Sequence, residues 1–205
     1  MSKTNLYPAL IEKLEDLKSL KVSLERKEVL KPLIEFIQKE KNEGNSIQLN
    51  FICTHNSRRS QFGQVWAQAI SDFYGIETNC YSGGTEETAF NQNAIDALNR
   101  AGFKIESASG ENPQVQVQYS EDKSAMECYS KVYDAEENPS KNFAAVMTCS
   151  HADENCPFIP GSKDRIALDY SDPKKYDDTP LTREKYDERS DQIASEMIYV
   201  FENIE

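Results

Sequence analysis

The feature that most constrains this chain is an alternation of short apolar runs with segments of helical period. Ile47, Leu49, Phe51 and Ile52 form the first run, bounded by Gly44-Asn45 before it and Asn56-Ser57 after it. The segment from Arg59 to Tyr74 then sets Phe62, Val65, Trp66, Ala69, Ile70 and Phe73 on one helical face. Residues 78–81 form a second short run that ends at Gly83-Gly84. Residues 93–101 are helical, with Gly102 placed to stop them. Residues 143–148, FAAVMT, are apolar throughout, as in a strand covered on both faces. Residues 166–168 are a further short strand. Residues 185–204 form a last amphipathic helix through Ile193, Met197, Val200 and Phe201. Strands separated by helices favour parallel pairing through right-handed crossovers. The expected fold is therefore α/β, a three-layer α/β/α arrangement around a mostly parallel central sheet.

Two segments stand outside this alternation. Leu10, Leu14 and Leu17, then Leu30, Leu33, Ile34 and Ile37, repeat at helical spacing before the first strand. Ser23 is placed to cap the second helix, and Pro32 is expected to kink or restart it. We read residues 1–45 as an N-terminal helical extension, packed on the rest or serving as a partner arm, and residues 46–205 as the main domain. Within residues 115–133, Val115, Val117 and Tyr119 alternate, and Met126, Cys128 and Val132 are expected to pair with them in an inserted hairpin.

Charge and cysteine usage limit the partners. The formal net charge is -12, with 35 acidic and 23 basic residues. Nucleic acid and anionic membranes both call for a basic footprint, so neither is expected as a partner. No apolar run approaches the ~18 residues of a membrane helix. The first ten residues lack the basic and apolar regions of a secretory leader. The expectation is a cytoplasmic protein, whose five cysteines begin as thiols.

The first strand runs straight into Cys53-Thr54-His55-Asn56-Ser57-Arg58-Arg59-Ser60, and a helix follows at once. A loop between a strand end and a helix start can turn its backbone N–H groups inward, and the helix adds a partial positive charge. A tetrahedral oxyanion fits such a hollow. Arg59 can clamp it through a two-pronged fork, with Cys53 beneath it as a thiolate nucleophile. Asn56 suits a left-handed turn. Ser57 and Ser60 can bond the sulfur, and Arg58 is a helper charge at the rim. His55 reads as a loop residue whose backbone matters, with a ligand or base role as the alternative.

A second constellation follows the buried 143–148 run: Cys149, His151, Asp153 and Cys156. Strand C-terminal ends gather on one sheet edge, so Cys149 can approach Cys53. Cys149 and Cys156 are about two helical turns apart, roughly 10 Å if the segment is helical. A disulfide needs Cα atoms within about 7 Å, so such a bond would require the segment to unwind. Three readings stay open here: a metal site, ordinary buried thiols, or a thiol relay resolving an intermediate on Cys53. No metal is assigned, and Cys80 and Cys128 are taken as structural thiols. Asp172-Pro173, in a polar loop, supplies a candidate acid, with a plain turn as the alternative.

Together, CTHNSRRSQ, YSGGTE, MTCSHADENCP and Asp172-Pro173 resemble the low-molecular-weight tyrosine phosphatase superfamily, and within it the thioredoxin-coupled arsenate reductases. The resemblance covers about residues 46–110 and 143–204. It implies that Cys53 attacks arsenate held by Arg59 and the loop amides of Thr54, His55, Asn56, Ser57, Arg58 and Ser60. Asp172 would help expel water. Cys149 would attack Cys53 and release arsenite, and Cys156 would attack Cys149. Thioredoxin or a similar external reductant would then reduce the new disulfide, with no bound cofactor. A phosphate monoester hydrolase working through a Cys53 phosphocysteine is the alternative. Arg58 departs from the small residue or cysteine common in the family's loop. The N-terminal helices and the insertion near residues 110–141 are also extra.

Overall fold

The computed structural model describes residues 5–155 and 158–205. Its central sheet has four strands: β1 (Ile47–Cys53), β2 (Thr78–Gly84), β6 (Phe143–Met147) and β7 (Ser162–Ala167), in the order β2-β1-β6-β7. All three pairings are parallel. The register pairs Cys53 with Gly84 and Ile52 with Met147. The carboxyl ends of β1, β2 and β6 therefore meet on one edge, and this is what places the site.

Alternation along the strands divides the core in two. Leu49, Phe51, Ala144 and Val146 join a large apolar cluster with the helices, whereas Ile52, Phe143, Ala145 and Met147 join a smaller one. Helix α3 (Arg59–Tyr74) follows β1 and buries Phe62, Val65, Trp66 and Ile70 in the large cluster. Helices α4 (Gln92–Ala101) and α6 (Thr182–Glu202) complete that layer. The opposite layer is thinner. Its apolar members beyond the sheet are Ala152 of the short helix α5 (Ser150–Asn155), Cys149, Ile159 and part of Tyr133. The expected layered α/β architecture with a parallel sheet is thus the observed one.

The N-terminal helices α1 (Pro8–Lys18) and α2 (Leu24–Glu43) bury Leu10, Leu14, Leu17, Leu30, Leu33, Phe36 and Ile37 in the same large cluster. Ser23 caps α2, accepting a hydrogen bond from the Arg26 amide at 3.2 Å. The helix α2 does not restart at Pro32 but runs through it. The lost hydrogen bond and ring clash cost about 3 kcal/mol, but buried residues on both sides of Pro32 hold the helix to the core. Glu40, 1% exposed, pairs with Lys163 of β7 at 2.7 Å and ties α2 to the sheet.

The insertion is a separate antiparallel sheet of three strands, β3 (Lys104–Ser107), β4 (Val115–Gln118) and β5 (Met126–Cys128). Val115 opposes Cys128 and Val117 opposes Met126, as the hairpin reading expects. Val132 does not join them. It forms a parallel bridge to Gly84, and the segment around it lies along the end of β2. The strand β3 has no sequence signal, because its residues are mostly exposed and do not alternate. Among the described residues, no helix is long and apolar enough to cross a membrane.

Candidate active site

The loop after β1 is defined by where its carbonyl groups go. Cys53 O accepts from the Thr85 amide at 3.2 Å, and Thr54 O from the Glu86 amide at 2.8 Å. His55 O accepts from Ser130 Oγ at 2.8 Å and Thr88 Oγ1 at 3.1 Å. Asn56 O accepts from Gln61 Nε2 at 3.0 Å, Ser57 O from the Asn91 amide at 3.0 Å, and Arg58 O from the Phe62 amide at 2.9 Å. Six consecutive carbonyls are thus held outward by the surrounding structure. In a trans peptide the N–H points opposite to the C=O, so the intervening amides turn to the inner side. The result is a concave set of donors at the start of α3, the physical requirement for an oxyanion cradle.

Gly84 permits this packing. A Cβ there would lie 2.5 Å from Glu86 O and 2.8 Å from both Asn56 N and Thr54 O. Asn56 takes φ 45°, the left-handed conformation expected of it. Its Oδ1 accepts from the Lys131 amide at 3.0 Å, which fixes its Nδ2 as the donor to Ser60 Oγ at 2.9 Å. Ser60 Oγ lies 3.1 Å from Cys53 Sγ. Ser57, expected to share that task, is turned away and donates to Ala89 O at 2.6 Å. His55 Nε2 is 3.4 Å from Glu86 Oε2 at the outer edge.

Two arginines divide the flank of the loop. Arg59 donates from Nη1 to Tyr170 O at 3.1 Å and from Nη2 to Asp172 Oδ2 at 2.6 Å. Its Nε is buried with no partner among the described residues, so the fork retains an unused donor. The structure therefore brings Asp172 to the loop, 113 residues away in sequence. Arg58 is not a charge at an exposed rim. Its side chain is buried and donates from Nε to Tyr186 Oη at 2.8 Å. Its contribution to the cradle is the backbone at the start of α3.

Cys149 comes to the same place. It is 2% exposed and belongs to the same small buried cluster as Cys53. The Thr54 hydroxyl lies 3.5 Å from Cys149 Sγ and 3.3 Å from His151 Nδ1. The Ala152 amide donates to Cys149 Sγ at 3.4 Å. Asp153 pairs with Arg165 at 2.6 Å. Cys156 lies outside the described residues. Cys80 and Cys128 are remote from this cluster: burial pushes the Cys128 thiol up to about 12 and raises that of Cys80 well above the ordinary thiol value.

Sequence reasoning missed the outer supports Ser130, Thr88, Gln61 and Asn91, and the partners Tyr170 and Tyr186. The Gly83-Gly84 pair was the one visible sign that the loop is approached closely.

A parallel sheet with a cysteine–arginine loop at its carboxyl edge and an aspartate beside the arginine defines the class. A family model described as low molecular weight phosphotyrosine protein phosphatase matches residues 48–197. The chain belongs to that family and is an enzyme of that superfamily. An arsenate reductase of Bacillus cereus is 30% identical over 148 residues, covering 71% of this chain and 92% of the relative. An arsenate reductase of Bacillus anthracis matches with the same identity and coverage. Among solved structures, a low molecular weight protein tyrosine phosphatase from T. tengcongensis has a TM-score of 0.54 at 15% identity. That match covers 78% of this chain and all of the other, and supports the shared fold.

Proposed function

We propose that this protein reduces arsenate to arsenite. The observation that carries the reading is the position of Cys149, buried in the same cluster as Cys53 and 3.5 Å from the hydroxyl of Thr54. A phosphate hydrolase of this family has no need of a second thiol beside its nucleophile. The relatives named arsenate reductase point the same way.

The proposed sequence begins with arsenate in the amide cradle, its oxygens shared between the loop N–H groups and the Arg59 fork. The Cys53 thiolate attacks arsenic, and Asp172 gives a proton to the departing oxygen, which leaves as water. The Cys149 thiolate then attacks the Cys53 sulfur. A Cys53–Cys149 disulfide forms, the S–As bond breaks, and its electron pair stays on arsenic, which leaves as arsenite. Cys156 attacks Cys149 and frees Cys53 as a thiolate. A dithiol such as thioredoxin supplies two electrons to reduce the Cys149–Cys156 disulfide. A cytoplasmic setting, where thiols are kept reduced, belongs to this proposal, as does the division into a helical extension and a catalytic domain.

The second reading is hydrolysis of phosphate monoesters through a phosphocysteine on Cys53. It is favoured by Arg59 and Asp172 standing together at the loop, since neither requires Cys149. Turnover of arsenate with reduced thioredoxin, set beside hydrolysis of an aryl phosphate, separates the two. The first reading requires Cys149 for arsenate only, and the second requires it for neither.

A further inference from the structure

Arg58 stands beside Arg59 in the loop, and its buried side chain reaches the segment that carries Asp172. Residues Pro173–Tyr176 form one turn of 3-10 helix, with Asp172 before it and Asp177 after it. Asp172 caps that turn, accepting from the Lys174 amide at 3.0 Å. Arg58 reaches both ends: Nε is 4.0 Å from Asp172 Oδ1, and Nη2 is 3.7 Å from Asp177 Oδ2. Tyr186, on α6, accepts from Arg58 Nε and donates to Asp177 Oδ1 at 2.7 Å. Burial and the bond to Asp177 push the Tyr186 phenol up to about 12, so it remains a donor.

We infer that Arg58 is a positioning residue whose side chain holds the Asp172 turn over the loop through Asp177 and Tyr186, without its guanidinium binding the oxyanion. Arg59 cannot do this alone. A two-pronged grip on an oxyanion pairs the unused Nε with an Nη that already serves Tyr170 O or Asp172, so an incoming oxyanion shares the Arg59 guanidinium with them. Asp172 must then be held by something else while it transfers its proton. Arg58 is that second hold: a planar guanidinium fixed by the Tyr186 hydroxyl and gripping the turn at both ends. A general acid contributes only if it stays within hydrogen-bond reach of the oxygen it protonates.

The inference rests on the reading of Asp172 as the acid, and the test separates the two. The measurement is kcat/KM for phenol release from phenyl phosphate, a poor leaving group, and from 2,4-dinitrophenyl phosphate, a good one. Inorganic phosphate serves as the competitive inhibitor. Asp172→Asn should lower the rate with phenyl phosphate about hundredfold and that with the dinitrophenyl ester far less. Arg58→Ala should reproduce this imbalance at about tenfold, with phosphate inhibition unchanged within about twofold; Arg58→Lys should fall between it and the native protein. Tyr186→Phe removes one hydroxyl, keeps the buried ring, and should show the same imbalance at a few-fold; it decides the matter if Arg58→Ala does not fold. Equal losses on both esters with weakened phosphate inhibition would make Arg58 an anion ligand and overturn the inference. An imbalance in Asp172→Asn that neither Arg58→Ala nor Tyr186→Phe shares would overturn it as well. An Asp172→Asn protein without the imbalance, or a native protein that releases no phenol, would overturn the acid reading and the inference with it.

Discussion

Cys53 Sγ lies 3.1 Å from Ser60 Oγ, and the direction of that contact is settled by a third residue. Asn56 Nδ2 donates to Ser60 Oγ, so the serine's own hydrogen is left for the sulfur. Ser60 is therefore placed to donate to the Cys53 sulfur. A hydrogen bond to a charged group contributes about 1.5–3 kcal/mol. Ser60→Ala should slow alkylation of Cys53 by iodoacetamide at neutral pH by roughly 10- to 100-fold, as converted from that range. Peptide mapping of the labelled protein reads this directly; an unchanged rate would remove Ser60 from the site.

Gly84 makes a different prediction, because it acts through space it does not fill. A methyl group there meets backbone atoms of Thr54, Asn56 and Glu86, none of which can move without moving the loop. Displacing a catalytic loop by about 1 Å can cost about a hundredfold. Gly84→Ala should weaken inhibition by phosphate and lower aryl phosphate turnover by about that factor, with a smaller loss in urea stability of about 1–3 kcal/mol. Full activity would mean that the amide cradle tolerates displacement.

These two residues also mark what the chain discloses locally. The loop was legible because Cys53 to Ser60 is one contiguous segment between a strand and a helix, so its geometry is set by near neighbours. Asp172 was legible through the Asp-Pro turn, though its pairing with Arg59 was not. Arg58 was misjudged because its partner Tyr186 lies 128 residues away, and a buried arginine has the same sequence signature as an exposed one. The carbonyl anchor Ser130 lies in an irregular segment with no periodicity, and Asn91 is the N-cap of α4, whose local role says nothing of the loop it also holds. Only the tertiary fold brings them to the loop.

The N-terminal extension has its own energetic signature. Arg26 of α2 binds both oxygens of Glu196, at 2.9 and 2.7 Å, and its guanidinium stacks 5.1 Å from the Tyr170 ring centroid. Glu196 is 2% exposed and also accepts from the Tyr170 hydroxyl at 2.8 Å. Arg26→Met would leave a buried carboxylate short of its charge partner, a loss of about 3–5 kcal/mol. Urea unfolding should show that drop, and Arg26→Met/Glu196→Gln should regain most of it. If the double variant is no more stable than Arg26→Met, the pair is not what joins α2 to α6.

The thiols outside the site carry a pH prediction. Burial raises Cys128 to about 12 and Cys80 well above the ordinary value of 9.0. In the folded protein they keep their protons, whereas the unfolded chain releases them from about pH 9. Their contribution to stability is therefore complete below about pH 9 and is lost as pH rises towards the folded values. Denaturation midpoints should fall between about pH 9 and 11, and neither thiol should be alkylated in the native protein at about pH 8. Rapid labelling of Cys128 in the folded state would contradict its burial.

The most direct test of the thiol relay is arsenate-dependent oxidation of reduced thioredoxin, followed with the native protein and with Cys149→Ser. The native protein should sustain turnover and the variant should lose at least about a hundredfold, because a hydroxyl cannot displace arsenite from Cys53. Aryl phosphate hydrolysis should meanwhile stay within about twofold, since Cys149 takes no part in phosphate chemistry. Normal arsenate reduction by Cys149→Ser would contradict the relay and leave phosphate hydrolysis as the better reading of the same loop.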